Sequence, residues 1–311
     1  MKKLIYLTLL IIAIPFFIVM TFIKEESKKA LEEETTTEII IKVKREATGK
    51  IEKVELEEYV VGVLAGEMPI SFHIEALKAQ AVASRSYVLK RYEDVKNINY
   101  TVVDTVTNQV YLDNQYLKER WKEKYQENIL KLKRAVAETS YEYITYDDKI
   151  ADALFFSTSN GFTENSEEIF SAEAPYLRSV ESFWDEKTSP VFSEKKHYTI
   201  SEVFNLLALS PTEDLNVKIL KKSSTGRILV LTINGKEMKG SEVAKKLGLR
   251  SNDFEFIRDG NVITITTNGY GHGVGMSQYG ALGMANEGYL YDEIIKHYYK
   301  GVEIKKIKNN K

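Results

Sequence analysis

Cysteine is missing from this 311-residue sequence, and neither sign of charge dominates it. Without cysteine the chain can form no disulfide bond and no thiolate metal site. Its net charge of −2 argues against a general nucleic-acid binder, which would be strongly basic. The composition suits a protein that works outside the cytosol without a redox partner, although many cytosolic proteins also lack cysteine.

The first 23 residues contain a long apolar run behind two lysines. Leu4–Ile23 is apolar apart from one tyrosine and two threonines. At about 1.5 Å per helical residue, this run spans roughly 30 Å, the hydrocarbon thickness of a bilayer. No Ala-x-Ala-like cleavage site follows, so the pattern predicts an uncleaved single-pass membrane anchor over residues 1–23. Residues 24–38 are charged and poor in apolar residues, which predicts a linker.

Residues 56–92 contain two helical patterns on either side of a short break. The first has an apolar stripe at helical spacing, and Gly66 and Pro69 predict where this helix stops. The second has a face of small residues that allows close packing, and Ser71 is its expected N-cap. The stripe of the first pattern consists of Leu56, Val60, Val63 and Leu64, and the face of the second consists of Leu77, Ala81, Ser84 and Val88.

A single carboxylate, Glu67, lies in the break between these helices. The negative end of the first helix dipole and burial against Met68 and Pro69 would raise its pKa, whereas the N-terminus of the next helix would lower it. A carboxyl group with a raised pKa can act as a general acid. The alternative interpretation is that Glu67 only caps a turn.

The rest of the chain alternates short strands with helices. Further elements are expected at residues 39–45, 50–56, 116–138, 141–145 and 291–299. Residues 197–260 are typical of an appended α/β portion, with a helix, hairpins, an Asn234-Gly235 turn and a short second helix. We predict a mixed α+β fold with antiparallel strands. We also expect residues 39–305 to form one compact body, of which residues 197–260 are a smaller subdomain, after an N-terminal transmembrane helix.

Four alternating glycines occur in residues 269–275, between an expected strand and a helix. A dinucleotide-binding loop is excluded, since the third position of G-x-G-x-x-G would be Val274 or Met276. We expect the glycines to allow close backbone approach to a ligand or to Glu67. His272 lies among them and is a candidate site residue, although a lone histidine is usually structural.

Two long motifs resemble signatures of the stage II sporulation protein D family. The first comprises GVLAGEMP at residues 62–69 and EALKAQAVASRSY at residues 75–87, and the second is GYGHGVGMSQYGA at residues 269–281. The resemblance extends in register from about residue 40 to residue 305. It implies a lytic transglycosylase that cleaves the bond between N-acetylmuramic acid (MurNAc) and N-acetylglucosamine (GlcNAc) in peptide-stripped peptidoglycan. The implied reaction would leave a 1,6-anhydro end and would take place during septal thinning and engulfment in sporulation.

The resemblance also implies where the protein works and with what. Its body would lie on the outer face of the cell membrane, and its partners would be glycan strands, the amidase stage II sporulation protein P and the membrane protein stage II sporulation protein M. No cofactor is implied. The same domain occurs in amidase enhancers, so a non-catalytic module that stimulates an amidase is the main alternative, and a sugar-binding scaffold is a third.

Glu67 is the expected catalytic acid. One carboxyl group suffices where the sugar itself supplies the nucleophile, whereas hydrolytic glycosidases usually need two. Arg85 could orient the Glu67 carboxylate or grip the substrate, or it could tie the two helices together. Tyr176 could pack on a sugar ring or belong to the core.

Two polar segments complete the expected site. Ser157, Ser159 and Thr163 follow a strand and could line a substrate groove or cap a turn. In some family members a histidine of this segment helps to bind a metal, but Phe156 occupies that position here and cysteine is absent. We therefore expect no metal. The weaker substrate-binding candidates are Ser277, Gln278 and Tyr279.

Overall fold

A long helix, Ile74–Asp94, runs through the interior, and other elements pack around it. The computed structural model describes residues 39–95, 99–170, 172–212 and 214–307. Residues 40–307 form one compact unit. The predicted anchor and linker lie outside the described residues. Within the described ranges no helix has the length and apolar character needed to span a bilayer.

The helices follow the chain as α1 (Leu56–Glu67), α2 (Ile74–Asp94), α3 (Asn114–Trp121), α4 (Tyr125–Ala137), α5 (Ser166–Ile169), α6 (Trp184–Thr188), α7 (Ile200–Leu207), α8 (Gly240–Lys246), α9 (Gln278–Asn286) and α10 (Tyr291–Tyr298). The strands are β1 (Ile40–Lys44), β2 (Ile51–Glu55), β3 (Val102–Val103), β4 (Glu142–Tyr146), β5 (Lys149–Ile150), β6 (Phe155–Phe156), β7 (Ser193–Thr199), β8 (Val217–Lys222), β9 (Ile228–Ile233), β10 (Lys236–Lys239), β11 (Phe254–Asp259), β12 (Val262–Asn268), β13 (Met276–Ser277) and β14 (Glu303–Lys306).

The strands form several small sheets rather than one large sheet. Their orders are β2-β1-β3, β14-β4-β5, β10-β9-β8, β11-β12-β7 and β13-β6. Among the described strands, only the β1-β3 and β13-β6 pairs are parallel. The predicted mixed α+β fold with antiparallel strands is therefore confirmed.

Helix α2 is buried on nearly all sides. Every residue from Ala76 to Leu89 is buried except Lys78. A helix that is enclosed all round forms the core of its domain. Its alanines and serines let α1, α4, α9, α10 and β4 approach it closely.

One charged side chain, Arg85, lies within this core and is fully buried. Its Nε and Nη2 donate to the two carboxylate oxygens of Glu57 at 2.7 and 2.6 Å, and its Nη1 donates to the carbonyl of Glu142 at 2.9 Å. A buried guanidinium is tolerated only when it is paired and hydrogen-bonded in this way. Arg85 thus ties α1, α2 and β4 together.

The helix boundaries around Glu67 differ from the prediction. Glu67 is the last residue of α1, and Gly66 does not end the helix. Helix α2 is capped by His73, whose Nδ1 accepts a hydrogen bond from the Glu75 amide at 3.3 Å. The prediction that Ser71 is the N-cap of this helix was therefore wrong.

The single helix expected at residues 116–138 is two helices, α3 and α4. A short 3₁₀ turn separates them, and Lys122 has a φ of 48°. A charged stretch without glycine or proline gives no sequence signal of such a break.

The appended portion has an apolar core of its own. This core includes Phe204 of α7, Leu231 of β9 and Ile263 of β12. The Asn234-Gly235 turn has two positive φ angles, 49° and 81°, as a type I′ hairpin turn requires. Strand β7 pairs with β12, so the elements that share this core extend over residues 193–268, beyond the expected 197–260.

Removal of Arg85 is expected to destabilise the protein strongly. Arg85→Met leaves the Glu57 carboxylate and the Glu142 carbonyl without a partner, and breaking a buried pair in this way costs about 3–5 kcal/mol of unfolding free energy. Urea denaturation measures the change. Lys133→Ala is the control, since its pair with Glu58 is half exposed and contributes less than about 1 kcal/mol. Equal, small changes in both variants would contradict the assigned tie.

Candidate functional site

Two glycines of α1 allow a loop to lie next to Glu67, the candidate catalytic residue. Gly62 and Gly66 are one helical turn apart, and a Cβ on them would lie 2.7 Å from the carbonyl oxygen of Leu112 and 2.3 Å from that of Val110, respectively. Because neither carries a side chain, the loop of residues 104–113 lies directly against the helix. The Val110 amide then donates a 2.6 Å hydrogen bond to Oε1 of Glu67.

The surroundings of Glu67 favour its protonated form. Burial raises its pKa, whereas the Val110 hydrogen bond and the nearby carboxamide of Gln278 lower it, and the net shift is upward. The sequence had left the sign of this shift open, because the two helix ends act in opposite directions. The dominant cause of the upward shift is burial in the assembled fold.

Gln278 lies beside Glu67, at the start of α9, and only 6% of its surface is exposed. Its carboxamide is close enough to lower the pKa of Glu67, but its Nε2 makes no hydrogen bond of regular geometry within the described part of the chain. A buried polar group of this kind is costly unless water or a ligand supplies its hydrogen bond.

Glu67 opens into a cleft of about 700 Å³. This volume is within the usual range for small-ligand sites. The cleft lies between the end of α1, the loop at residues 106–108, residues 154–157 around β6, and the glycine-rich loop. The side chains and glycines that line it are Gly66, Glu67, Tyr87, Arg91, Val106, Thr107, Asn108, Leu154, Phe155, Phe156, Ser157, Phe170, Tyr270, Gly271, His272 and Gln278.

His272 forms part of the cleft wall as a neutral ring. Its Nδ1 accepts a 3.1 Å hydrogen bond from the Val274 amide, and its ring lies 5.7 Å from that of Phe156 and 5.5 Å from that of Phe170. Burial and the nearby Arg227 guanidinium lower its pKa to about 4, and a hydrogen bond to the Phe155 backbone opposes them. With Nδ1 acting as an acceptor, the single proton is assigned to Nε2.

Two glycines of the glycine-rich loop allow close contact with neighbouring segments of the protein. Gly275 has a φ of 83°, and a Cβ there would lie 2.0 Å from the carbonyl oxygen of Leu154. A Cβ on Gly273 would lie 2.8 Å from the guanidinium carbon of Arg227. The missing side chains of these two glycines accommodate the segment before Ser157 and a buried arginine. Gly271 lines the cleft together with Glu67, and close approach of this loop to a ligand stays a prediction.

Arg227 is a structural residue that sequence reasoning missed. It comes from the appended portion, is fully buried, lies 3.2 Å from the Glu164 carboxylate, and donates from Nη1 to the carbonyl of Gly271 at 3.0 Å. Burial raises the pKa of Glu164 to about 7, although Arg227 opposes it. No pattern in the sequence marks Arg227, since it directly precedes an ordinary apolar strand.

Three of the predicted substrate-binding residues share the cleft with Glu67. These are Ser157, His272 and Gln278. Arg85 is not among them, because its guanidinium is enclosed between α1, α2 and β4. Of the two roles that the sequence left open for Arg85, its position fits the structural tie between the helices.

Ser159, Thr163 and Ser277 are fully buried and support the framework. The Ser159 amide and the Ser277 hydroxyl both donate to the buried carboxylate of Asp185, and Ser277 also caps α9. The Thr163 hydroxyl bonds the backbone at Arg178 and Val180. The hydrogen bonds of these residues stabilise turns and the start of a helix. For Ser159 and Thr163, a role in capping a turn was the alternative to substrate binding in the sequence analysis.

Tyr176 and Tyr279 also lie outside the cleft lining. The Tyr176 hydroxyl accepts a hydrogen bond from the Asp152 amide at 2.9 Å, and its ring packs 5.4 Å from that of Tyr146. The Tyr279 ring meets Phe72 edge-on at 5.0 Å, and its amide donates to the Ser157 carbonyl. Neither side chain lines the cleft, although the Tyr279 backbone is hydrogen-bonded to Ser157, which does.

Phe156, at the position where some family members have histidine, packs against His272 and Gly271. In the described ranges, no three histidine, aspartate or glutamate side chains cluster so that they could hold a metal ion.

Comparison with known proteins adds to this geometry. The model of a family described as stage II sporulation protein matches residues 44–146. The stage II sporulation protein D of Bacillus subtilis is 42% identical over 283 residues, which cover 89% of this chain and 82% of that protein. This chain belongs to the stage II sporulation protein D family. The Bacillus amyloliquefaciens member is likewise 42% identical, over 86% of this chain and 78% of its own length.

A second type of relative shares the domain. The amidase enhancer of Bacillus subtilis is 28% identical over 297 residues, which cover 78% of this chain and 40% of that protein. The family thus places the chain among sporulation proteins, while this relative is named for an effect on an amidase.

Gly66→Ala is expected to destabilise the protein, although alanine in a helix is normally better than glycine by up to about 1 kcal/mol. The added Cβ would overlap the Val110 carbonyl, and overpacking typically costs about 1–3 kcal/mol. Chemical denaturation measures the sign. Glu58→Ala, at an exposed position of the same helix, should change the unfolding free energy by less than about 0.5 kcal/mol. A more stable Gly66→Ala variant would contradict the close approach of the loop.

Proposed function

We propose that this protein is a lytic transglycosylase that cleaves the MurNAc–GlcNAc bond of peptide-stripped peptidoglycan during sporulation. One observation carries the proposal: Glu67 is the sole carboxylate among the described residues that line the cleft. Hydrolytic glycosidases normally place a second carboxyl group about 5–10 Å from the first. A transglycosylase needs only one, because the sugar supplies the nucleophile.

The chemistry follows from a single acid. Protonated Glu67 donates its proton to the GlcNAc O4 atom as the bond from this oxygen to MurNAc C1 breaks. The MurNAc C6 hydroxyl then attacks C1, and the Glu67 carboxylate accepts the hydroxyl proton. The products are a GlcNAc 4-hydroxyl and a 1,6-anhydro-MurNAc end, no water is consumed, and Glu67 is protonated again.

Other cleft residues suit a glycan. The rings of Phe170 and Tyr270 line the cleft and are 41% and 44% exposed, so either can pack on the apolar face of a pyranose. The Gln278 carboxamide lies beside Glu67 and, among the described residues, its Nε2 has no hydrogen bond of regular geometry, so it can donate to a hydroxyl or N-acetyl oxygen. Ser157 adds a hydroxyl to the same wall.

The remaining expectations belong to this proposal. Residues 1–23 anchor the chain in the cell membrane with the catalytic body on the outer face, at the septal and engulfing membranes. An amidase, stage II sporulation protein P, supplies the stripped glycan, and stage II sporulation protein M is the membrane partner. These roles rest on membership of the family and on the apolar N-terminal sequence.

Glu67→Gln should abolish cleavage while the protein remains folded, since the amide keeps the size of the side chain but cannot donate the required proton. Peptide-stripped glycan strands are incubated with the full chain or the variant, and mass spectrometry identifies the product ends. Anhydro-MurNAc ends are expected from the unaltered chain alone. Reducing, hydrated ends would instead indicate a hydrolase, and equal cleavage by the variant would exclude Glu67 as the acid.

The rate should depend on pH through the raised pKa of Glu67. The acid must be protonated in the first step, so kcat is expected to be constant below this pKa and to fall about tenfold per pH unit above it. Steady-state rates over a pH series measure the profile. A kcat that rises with pH across this range would contradict the assignment, because it would require the ionised form to start the reaction.

A second candidate function is favoured by the amidase enhancer relative, which matches most of this chain. In that case the cleft would bind glycan without cleaving it and the protein would stimulate a partner amidase. Glu67→Gln distinguishes the two, since an enhancer should keep its full effect on the amidase when the acid is removed.

A further inference from the structure

Among the described residues that line the cleft there is one arginine, Arg91, and the proposed reaction assigns it no role. Arg91 is in the last turn of α2 and lines the cleft together with Glu67. Its guanidinium lies over the ring of Tyr87, one helical turn earlier, at 5.3 Å from the ring centre. The Tyr87 hydroxyl is in turn bonded by the Asn108 side chain at 3.0 Å. The arginine is thus supported by a fixed ring that the loop beside Glu67 holds in place.

Arg91 forms no hydrogen bond from its side chain and no ion pair within 4 Å in the part of the chain that the structure describes. Its charge does act on the carboxylate of Asp152, whose pKa Arg91 lowers while burial raises it to a net upward shift. The neighbouring Lys90 differs, because it is paired with Asp94 at 2.5 Å. Arg91 therefore has its planar set of five N–H donors available to an anion in the cleft.

The proposed substrate carries one type of anion. In intact peptidoglycan, the lactyl group of each MurNAc is joined to the stem peptide by an amide bond. Removal of the peptide leaves a lactyl carboxylate at that position. A guanidinium binds a carboxylate through two parallel, charge-assisted hydrogen bonds and cannot form that pair with an amide.

We infer that Arg91 binds the lactyl carboxylate of MurNAc and makes the cleft selective for glycan from which the peptide has been removed. The inference rests on the proposed glycan substrate but not on catalysis. The contact supplies a physical reason for the order of reactions in the proposed function, because the amidase creates the carboxylate that Arg91 recognises. Arg91 is thus a specificity-determining residue, whereas Glu67 carries out the proton transfers.

Binding is tested in the full chain carrying Glu67→Gln, so that no cleavage occurs. Two GlcNAc–MurNAc tetrasaccharides serve as probes, one with free lactyl carboxylates and one with the same groups converted to N-methylamides. Calorimetric titration gives both dissociation constants. We expect the carboxylate form to bind at least about tenfold more tightly, the effect of one hydrogen-bonded charged contact.

Arg91→Gln should remove this preference by weakening the carboxylate form while leaving the amide form unchanged. Lys90→Gln is the matched control, since it removes the adjacent positive charge from a residue outside the cleft lining and should retain the preference. Arg91→Lys keeps the positive charge but loses the planar guanidinium with its parallel N–H donors, and it should retain only part of the preference for the carboxylate form. Thermal denaturation verifies that each variant is folded. A variant that had lost its fold would bind both tetrasaccharides more weakly, whereas loss of the Arg91 contact weakens binding of the carboxylate form alone.

The inference is overturned if the protein binds both probes equally, if Arg91→Gln keeps the preference, or if Lys90→Gln loses it to the same extent. Failure of the proposed function gives a different result: glycan is bound with the expected preference, but the protein without the Glu67 substitution forms no anhydro ends. In cleavage assays, Arg91→Gln should raise KM for stripped glycan with little change in kcat.

Discussion

The close contact between α1 and the loop of residues 104–113 is the constraint on which the site depends. Two helical positions without side chains allow a backbone to lie directly against the helix, and this backbone supplies the amide that holds Glu67. The same loop carries Asn108, which fixes Tyr87 beneath Arg91. This one packing contact therefore positions both the carboxyl group of Glu67 and the guanidinium of Arg91 in the cleft.

Buried charge holds the surrounding framework. Arg85 joins α1, α2 and β4, while Asp185 gathers the backbone or hydroxyls of Ser159, Ser182 and Ser277. Arg227 crosses from the appended portion to the glycine-rich loop. Arg85 and Asp185 are hydrogen-bonded to several segments and Arg227 is paired with Glu164, so these contacts restrict how the segments that meet at the cleft can shift. The motif residues thus divide into a few that face the cleft and several that fix its shape.

This division explains how a signature motif can be mostly structural. In the stretch at residues 269–281, the residues that line the cleft are Tyr270, Gly271, His272 and Gln278. By contrast, Ser277 caps a helix, and Gly273 and Gly275 accommodate Arg227 and neighbouring backbone. Close approach of several segments requires small residues and satisfied hydroxyls at fixed positions. A motif of this kind indicates the site but does not by itself say which members contact a substrate.

The sequence alone was sufficient for the mixed α+β fold, the paired helices around Glu67 and the hairpins, because periodicity and turn residues act over short stretches of chain. It also pointed to Glu67 as the acid candidate. It could not separate Arg85 from Arg91, two arginines on one helix, since burial against Glu57 or exposure in the cleft depends on segments distant in the chain. Likewise, only the tertiary structure decided the upward shift of the Glu67 pKa, the part of Arg227 and the absence of a second carboxylate from the described lining of the cleft. Each of these follows from which distant groups share a low-dielectric space, and that is a property of packing rather than of local sequence.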